Sequence, residues 1–241
     1  MKSMMTALCL RALGGVVLVL ALGTGCSQLP ASITGKVPLS MFDLCDIDKD
    51  CVKGKWTKDD SGAVNTTTTS FGRLQAPYIP AMEYDCKVVA KRTGSTVDAL
   101  VIGLIKGDVE FALVIDGATK AIATGIDKMD NKSFTDNDLA VKKTIFTDKP
   151  STIIVSVRNI SFNVNIDGND VITWKDKVKE KDKDGKEVEK ETGKPLDYSR
   201  LSMIPDWKNP LGKCVFLGAF SEYNITTWEI TNVTGGGRFL R

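Results

Sequence analysis

Apolar and polar residues alternate with a period of two in several parts of the chain. In residues 84–91 the even positions are apolar and positions 85, 87 and 91 are charged, and in residues 161–166 Ser and Asn alternate with Phe, Val and Ile. A period of two is typical of a strand with one buried and one solvated face. Apolar runs at 100–105, 111–115 and 153–157, rich in β-branched residues, predict further strands.

Turn residues separate these segments. Asp167-Gly168 stands between residues 161–166 and 171–174, which predicts a β-hairpin, and we expect further turns at Asp108 and at Asp116-Gly117. Beyond the N-terminal segment, no long stretch of the sequence has a helical period. We therefore predict an all-β protein, built as a two-sheet antiparallel β-sandwich or jelly roll.

The first residues have the pattern of an export signal. Lys2 and Arg11 precede an apolar run at residues 13–23, and Thr24-Gly25-Cys26 follows. A positive start, a short apolar run and small residues before a cleavage point make up a secretory signal peptide. The run is shorter than the roughly 20 apolar residues that span a bilayer. We expect residues 1–25 to be removed, with a permanent transmembrane helix as the alternative.

Residues 22–26, Leu-Gly-Thr-Gly-Cys, resemble a bacterial lipobox, which implies that Cys26 becomes a lipid-modified N-terminus. Leu22 stands one position further from the cysteine than in the commonest pattern, and the alternative is an ordinary cleaved signal. Ser27 is not the aspartate that marks inner-membrane retention, which implies the outer membrane. We therefore predict a cell-envelope protein with lipid on Cys26 as its membrane anchor.

The predicted mature chain is close to neutral. Removal of residues 1–25 takes away two of the 32 basic side chains and none of the 30 acidic ones. This balance argues against nucleic acid as a partner and against adhesion to anionic lipid by charge alone. Attachment to the membrane then depends on the lipid.

Outside residues 1–26 the chain has four cysteines, an even number that suits an oxidising compartment. The simplest of three pairings joins Cys45 to Cys51 and Cys86 to Cys214. Four buried free thiols are the alternative. A zinc site has less support, because the chain has no CxxC pair and no histidine.

The mature chain has the length of one domain. We expect a short tether at residues 26–40, a folded domain at 41–235 and a C-terminal tail at 236–241. Residues 175–196 form a charged insertion, and within 175–194 eight lysines alternate with seven acidic residues. This composition predicts a solvated hairpin extension or a mobile loop, and a docking surface for a partner is the alternative.

A set of aromatic, proline, glycine and acidic residues follows one another in a characteristic order. They are Asp43-Leu44, Asp46 to Cys51, Gly54-Lys55-Trp56, Leu74, Pro77-Tyr78, Pro80, Glu83-Tyr84-Asp85, Arg92, Asp116-Gly117, Val155-Ser156-Val157-Arg158, Asp167-Gly168, Trp174, Pro205-Asp206-Trp207, Leu217-Gly218, Trp228 and Ile230. This order resembles that of the concanavalin A-like lectin/glucanase family, which implies a jelly roll over residues 41–235. Cys45 and Cys51, in place of aliphatic residues, and the insertion at 175–194 depart from the family.

The absence of histidine limits the chemistry, because it excludes Ser-His-Asp and Cys-His nucleophiles. An enzyme here would depend on carboxylates, as glycosidases do. Glucanases of the family carry Glu-x-Asp-x-x-Glu or Glu-x-Asp-x-Glu, whereas Glu83-Tyr84-Asp85 continues with Cys86-Lys87-Val88 and lacks the third acid. We therefore name no catalytic residue and expect Glu83 and Asp85 to face solvent at the start of a strand.

Asp46, Asp48 and Asp50 alternate like the ligands of a calcium loop. Cys51 stands where an EF-hand needs glycine, and Thr57 stands where it needs glutamate, so a conventional EF-hand is excluded. A looser calcium site at the three aspartates stays open, and no other cofactor is expected.

Sugar rings stack on exposed aromatic faces beside polar side chains. Trp56 and Trp228 stand in strand-like segments, and we expect them in the core. Tyr78, between prolines, and Trp174 and Trp207, which flank the charged insertion near turns, are the candidates for an exposed ligand-binding platform.

Our hypothesis is a surface-anchored, non-catalytic β-sandwich that binds a polysaccharide or another extracellular polymer. It depends on the family resemblance, the missing third acid and the missing histidine. Two alternatives stay open: a carboxylate-dependent glycoside-cleaving enzyme, and a structural lipoprotein that binds a surface protein through a sheet edge or the charged insertion.

Overall fold

The structure is a computed structural model that describes residues 37–118, 121–184 and 186–241. The signal peptide (residues 1–25), the lipid-bearing Cys26 and most of the tether lie outside the described residues, so these stay predictions. Within the described ranges, no helix is long and apolar enough to cross a membrane.

Strands are the main elements of the described chain. Two short helices, α1 (Met41–Leu44) and α2 (Ile47–Asp50), lie near its start, and 3₁₀ turns lie at Tyr198–Arg200 and Pro205–Trp207. In chain order the strands are β1 (Leu39–Ser40), β2 (Cys51–Lys53), β3 (Trp56–Lys58), β4 (Val64–Thr66), β5 (Gly72–Gln75), β6 (Tyr78–Ile79), β7 (Glu83–Arg92), β8 (Leu100–Lys106), β9 (Val109–Ala118), β10 (Ile122–Ile126), β11 (Lys128–Met129), β12 (Lys132–Ser133), β13 (Ser151–Val157), β14 (Ser161–Ile166), β15 (Asn169–Lys175), β16 (Lys177–Lys181), β17 (Glu187–Glu191), β18 (Leu201–Ser202), β19 (Phe216–Ala219), β20 (Tyr223–Thr234) and β21 (Arg238–Phe239).

Two large antiparallel sheets share one core. The larger sheet has the order β15-β14-β13-β7-β20-β4-β3, and β1 also pairs with β20. The second sheet has six strands in the order β10-β9-β8-β19-β5-β2. A single hydrophobic cluster contains residues of both sheets. The prediction of an all-β, two-sheet antiparallel sandwich is therefore confirmed.

The two sheets differ in their burial pattern. In β7 buried and half-buried residues alternate, so one face packs on the core and the other meets solvent, as the period of two predicts. In β8 all seven residues are buried, so this strand is covered on both faces. The six-stranded sheet therefore needs a second layer on the side that faces away from the main core.

Two buried contacts illustrate the core. The Tyr84 hydroxyl of β7 donates to the Ile105 carbonyl of β8 at 2.9 Å and accepts from the Ile105 N–H at 3.0 Å, which joins the two sheets directly. Trp56 and Trp228 are 5% and 1% exposed, which confirms their predicted place in the core.

The predicted turns have mixed outcomes. Asp167 and Gly168 join β14 to β15 with positive φ angles of 51° and 83°, the backbone of a two-residue type I′ hairpin turn. Asp108 lies in the predicted turn between β8 and β9. The turn predicted at Asp116-Gly117 is wrong, because both residues lie within β9.

Asp116 has a structural role that its sequence context does not show. Its side chain is fully buried and its φ is 55°. The carboxylate accepts the N–H groups of Ile145 at 2.6 Å and Phe146 at 2.9 Å and pairs with the Arg92 guanidinium at 3.3 Å. Because a buried carboxylate must be paired and hydrogen-bonded, these donors stabilise it and hold the loop at 144–147 against the sandwich.

The predicted domain boundaries at 41 and 235 are too narrow. β1, at the end of the predicted tether, pairs with Glu229 and Ile230 of β20. Within the predicted tail, β21 pairs with β6 and the Arg241 guanidinium pairs with the buried Asp50. Both ends of the described chain therefore belong to the sandwich.

The charged insertion forms a two-stranded hairpin of β16 and β17, all of whose strand residues are exposed. Lys177 pairs with Glu189 at 2.9 Å, and Lys190 pairs with Glu180 at 3.4 Å. This confirms the predicted solvated hairpin extension. Its ion pairs lie across the two strands, where oppositely charged neighbours stabilise a ribbon.

We expect Asp116→Ala to lower the free energy of unfolding by about 3–5 kcal/mol, because it leaves Arg92 and two backbone N–H groups without their buried partner. Urea unfolding followed by tryptophan fluorescence measures the change. Asp108→Ala is the matched control, because Asp108 is fully exposed and its pair with Lys213 is solvated, so we expect little change. Equal effects of the two substitutions would contradict the role of Asp116.

Candidate functional site

The predicted exposed aromatic platform is wrong. Tyr78, Trp174 and Trp207 are 0%, 8% and 2% exposed. Tyr78 accepts a hydrogen bond from the Asn232 side-chain amide at 2.7 Å, and Trp174 packs edge-on against Tyr198. Large aromatic side chains contribute much of the apolar area that a sandwich buries, which explains why the fold takes them inside.

Trp207 nevertheless leads to the candidate site. It belongs to a second apolar cluster that covers the outer face of the six-stranded sheet. From the strands this cluster takes Val101, Val114 and Phe216, whose side chains point away from the main core. The 3₁₀ turn at Pro205–Trp207 and the segment around Phe134 supply the covering layer.

Glycines in the strands make room for this layer. A Cβ atom on Gly218 would lie 2.7 Å from the Trp207 ring, and one on Gly117 would lie 2.6 Å from the Phe134 ring. Both distances are shorter than any normal carbon–carbon contact, so larger residues at these positions would displace the rings. The rings therefore lie close against the backbone of the sheet.

A cavity of about 270 Å³ remains between the sheet and its cover. Aromatic and aliphatic side chains form most of its lining, and two carboxylates contribute the charged groups. The aromatic residues are Phe71, Phe134, Trp207 and Phe220, and the carboxylates are Asp98 and Asp127. An apolar concavity with a few polar groups is the usual form of a small-molecule site, and this volume lies just below the usual range of about 300–1,000 Å³.

The aromatic rings of the cavity contact one another edge-on. Phe71 lies 5.1 Å from Trp207 and 4.8 Å from Phe220 between ring centroids. Phe71 has a φ of 58°, a conformation that costs a bulky residue roughly 1–3 kcal/mol. The ring contacts offset that cost. The Lys53 ammonium lies 5.6 Å over the Phe71 ring.

The two carboxylates have different surroundings. Asp98 is half-buried and accepts the Ala99 N–H at 2.7 Å. Asp127 is 5% exposed and accepts the Ile204 N–H through Oδ2 at 2.8 Å. Burial raises the pKa of Asp127 above its ordinary value. Among the described residues, neither carboxylate has a salt-bridge partner.

The register of the sheet places the carboxylates at opposite ends of the cavity. Asp98 and Ala99 directly precede β8. The Asp127 N–H donates to the carbonyl of Ala112 in β9, and Ala112 pairs with Gly103 of β8. At roughly 3.3 Å per residue, the step from Ala99 to Gly103 gives a backbone separation of about 13 Å along the strand.

Trp207 lies between these two ends. Its ring rests on Gly218, which pairs with Val101, midway along that step. We call the four aromatic rings that line the cavity the aromatic floor of the site. Asp98 lies at one end of the site and Asp127 at the other.

No protein-family model matches the chain, and no curated protein matches it in sequence. Several solved structures are similar in backbone. They include the carbohydrate-binding module CBM66 from Bacillus subtilis (12% identity, 77% of this chain and 93% of that chain, TM-score 0.43), the Crh5 transglycosylase in complex with NAG (14%, 85% and 87%, 0.48) and the exoplasmic/lumenal domain of VIP36 in its Ca²⁺/Man3GlcNAc-bound form (11%, 76% and 83%, 0.44). At these identities and TM-scores, the similarities concern the sandwich architecture and carry no argument about ligand or activity.

The aspartates of the predicted calcium loop serve the fold. Asp46 caps α2 by accepting the Lys49 N–H, and the Lys49 ammonium lowers the pKa of Asp46. Asp50 accepts the Asp46 N–H at 2.8 Å and pairs with Arg241. Among the described residues, no three acidic, Cys or His side chains are placed to hold a metal ion. The arrangement of Asp46 and Asp50 therefore lends no support to the calcium site that the sequence left open at Asp46, Asp48 and Asp50, and that site stays a prediction.

Glu83 and Asp85 lie at the start of β7 on the face opposite the core, as predicted, and both are half-buried. Asp85 accepts hydrogen bonds from Ser156 Oγ at 2.6 Å and from the Arg158 guanidinium at 2.6 Å. Glu83 accepts the Asn159 N–H at 2.7 Å. Both carboxylates are thus occupied by contacts within the larger sheet.

The predicted disulfides are absent from the structure, where Cys45, Cys51, Cys86 and Cys214 are free thiols. Cys86 lies inside the larger sheet, opposite Val155 and Ile230 on its two neighbours, while Cys214 precedes a strand of the other sheet. The Cys45 and Cys51 thiols donate instead to backbone carbonyls, at 3.4 and 3.3 Å. Burial raises the pKa of Cys86 and of Cys214 to about 12.

Sequence reasoning missed five residues of the cavity, the aromatic Phe71, Phe134 and Phe220 and the two aspartates. One signal could have found the face they occupy. Residues 100–105 are apolar at every position except Gly103, which indicates a strand covered on both sides. Glycines within such strands mark close approach of another group, here an aromatic ring.

We expect four reactive thiols in the processed protein after denaturation without a reductant, because the structure has four free cysteines beyond Cys26. In the native protein, Cys86 should stay unreactive, since it is buried and its raised pKa keeps it protonated at neutral pH. Titration with a thiol reagent, with and without denaturant, measures both. A denatured, unreduced protein with two reactive thiols or none would restore the disulfide prediction.

Proposed function

We propose that this chain is a non-catalytic carbohydrate-binding module, held at the cell envelope by lipid on Cys26, and that the aromatic cavity is its binding site. The observation that carries the proposal is the aromatic floor with a carboxylate at each end. Aromatic faces stack on the apolar faces of sugar rings. Carboxylates accept hydrogen bonds from sugar hydroxyls.

The size of the cavity supports one part of a glycan rather than a long chain. A volume of about 270 Å³ suits a single sugar ring or a terminal unit. The six-stranded sheet and its aromatic cover hold the site in place before any ligand arrives. Such preorganisation lowers the entropic cost of binding.

Array screening of the full-length protein first identifies a glycan that binds. We expect Phe71→Gly to weaken binding of that glycan at least about tenfold, or about 1.4 kcal/mol. Glycine suits the positive φ at this position, so the substitution removes the ring without straining the backbone. Phe239→Ala is the control, because Phe239 packs on Tyr78 away from the cavity. Silence across the array with and without calcium, or equal binding by Phe71→Gly, would contradict the proposal.

Cleavage of a glycoside is the second candidate, because burial raises the pKa of Asp127, as a general acid requires. The backbone separation of about 13 Å from Asp98 is wider than the roughly 5–10 Å between the two carboxyl groups of a glycosidase, which makes this the weaker candidate. Under this alternative the protein releases reducing ends from a bound glycan, and Asp127→Asn abolishes the release while binding persists. The non-catalytic proposal expects no release by either protein in a reducing-sugar assay over prolonged incubation.

A further inference from the structure

At the Asp127 end of the cavity, one carboxylate oxygen has no hydrogen-bond donor among the described residues. Asp127 is 5% exposed, and among the described residues its one hydrogen-bond donor is the Ile204 N–H, which donates to Oδ2. A buried carboxylate is costly unless a cation or several donors accompany it. Within the described chain, the surroundings of Asp127 therefore leave its other oxygen free to accept a charged donor.

Among the described residues, the nearby cations do not pair with Asp127. Lys128, the next residue, lies in β11 and forms no salt bridge to Asp127 among the described residues. Lys53 lies over Phe71, at the opposite end of the cavity. Arg73 is in β5, on the side of Gly218 away from Val101, and donates to the Asp206 carbonyl.

The lining also favours a positive ligand over the other classes. It contains two carboxylates, and none of the described residues that line it is basic. An acidic sugar would meet two like charges there. Aromatic faces, in contrast, attract a cation through their negative π-surface, by about 0.5–2 kcal/mol according to how far the cation is desolvated. The Trp207 ring, which lies against Gly218 between the two carboxylates, supplies such a face.

We propose that the cavity recognises an amino sugar with a free ammonium group, which pairs with Asp127 while the ring lies on the aromatic floor. This rests on the proposed function and names the substrate class of the same site. An N-acetylated sugar carries no charge and leaves Asp127 without its partner. A neutral hexose offers hydroxyl donors alone, which form weaker hydrogen bonds than a charged donor.

Calorimetric titration of the full-length protein with glucosamine, N-acetylglucosamine and glucose tests the proposal. Near pH 6 we expect glucosamine to bind at least about tenfold more tightly than the other two, a difference of about 1.4 kcal/mol. Asp127→Asn should remove this preference, since it keeps the shape and the acceptor for Ile204 while it removes the charge. Asp98→Asn, at the far end of the cavity, is the matched control and should keep most of the preference.

The pH dependence supplies a test on the unaltered protein. Tetramethylammonium is positive at every pH, so a change in its affinity reports the protein groups alone. A bound cation favours ionised Asp127, so affinity is full at neutral pH and falls as the pH drops through the raised pKa of Asp127, above the 3.8 of an ordinary aspartate. Asp127→Asn should flatten this profile.

The outcomes separate this inference from the proposed function. Equal binding of glucosamine, N-acetylglucosamine and glucose, lost in Phe71→Gly, would overturn the inference and leave the carbohydrate site standing. A preference for glucosamine that survives in Asp127→Asn would also overturn it. If no sugar binds, the proposed function fails, and the inference fails with it.

Discussion

The structure depends on one constraint, the burial of both faces of the six-stranded sheet. Its inner face packs on the larger sheet, and β8 is buried along its whole length, so the outer face also needs an apolar cover. The chain supplies that cover from the segments around Phe134 and Trp207, whose rings rest on glycines of the strands. A cover made of a few large rings does not fill the space completely, and the cavity is the part that it leaves open. The candidate site is thus the space left where aromatic rings cover the outer face of the six-stranded sheet.

Two buried aspartates, Asp116 and Asp127, differ in the groups that accompany their charge. Asp116 is fully buried and receives two backbone N–H groups and the Arg92 guanidinium, so its cost is offset and its role is to hold a loop. Asp127 is nearly as buried but receives one backbone N–H, and it opens on the cavity. The two aspartates therefore differ in their surroundings, since the partners of Asp116 come from within the fold whereas Asp127 keeps one oxygen towards the cavity.

These differences explain what the sequence could predict. The larger sheet has one solvated face, so its period of two is visible in β7 and β14 and its hairpin turn at Asp167-Gly168 follows from local backbone chemistry. The burial of Trp174 and Trp207 could not be predicted, because it depends on which distant segments pack against each ring. Asp116-Gly117 reads as a turn, yet its partners at 145–146 come from a distant part of the chain. The cavity residues are likewise brought together from seven separate segments, and no local pattern links them.

A cavity for one sugar ring also fits the predicted anchor. A single ring makes few contacts, and the loss of rotational and translational freedom on binding offsets much of their free energy, so each site binds weakly. Lipid on Cys26 would place many copies in one membrane, where a glycan with repeated units meets several sites at once. Linked binding of this kind raises the overall affinity by factors on the order of 10²–10⁴ without any new contact, provided that the spacing allows several sites to engage together. If the proposed site and the predicted anchor are both correct, weak single sites would favour recognition of a polymer over capture of a free monosaccharide.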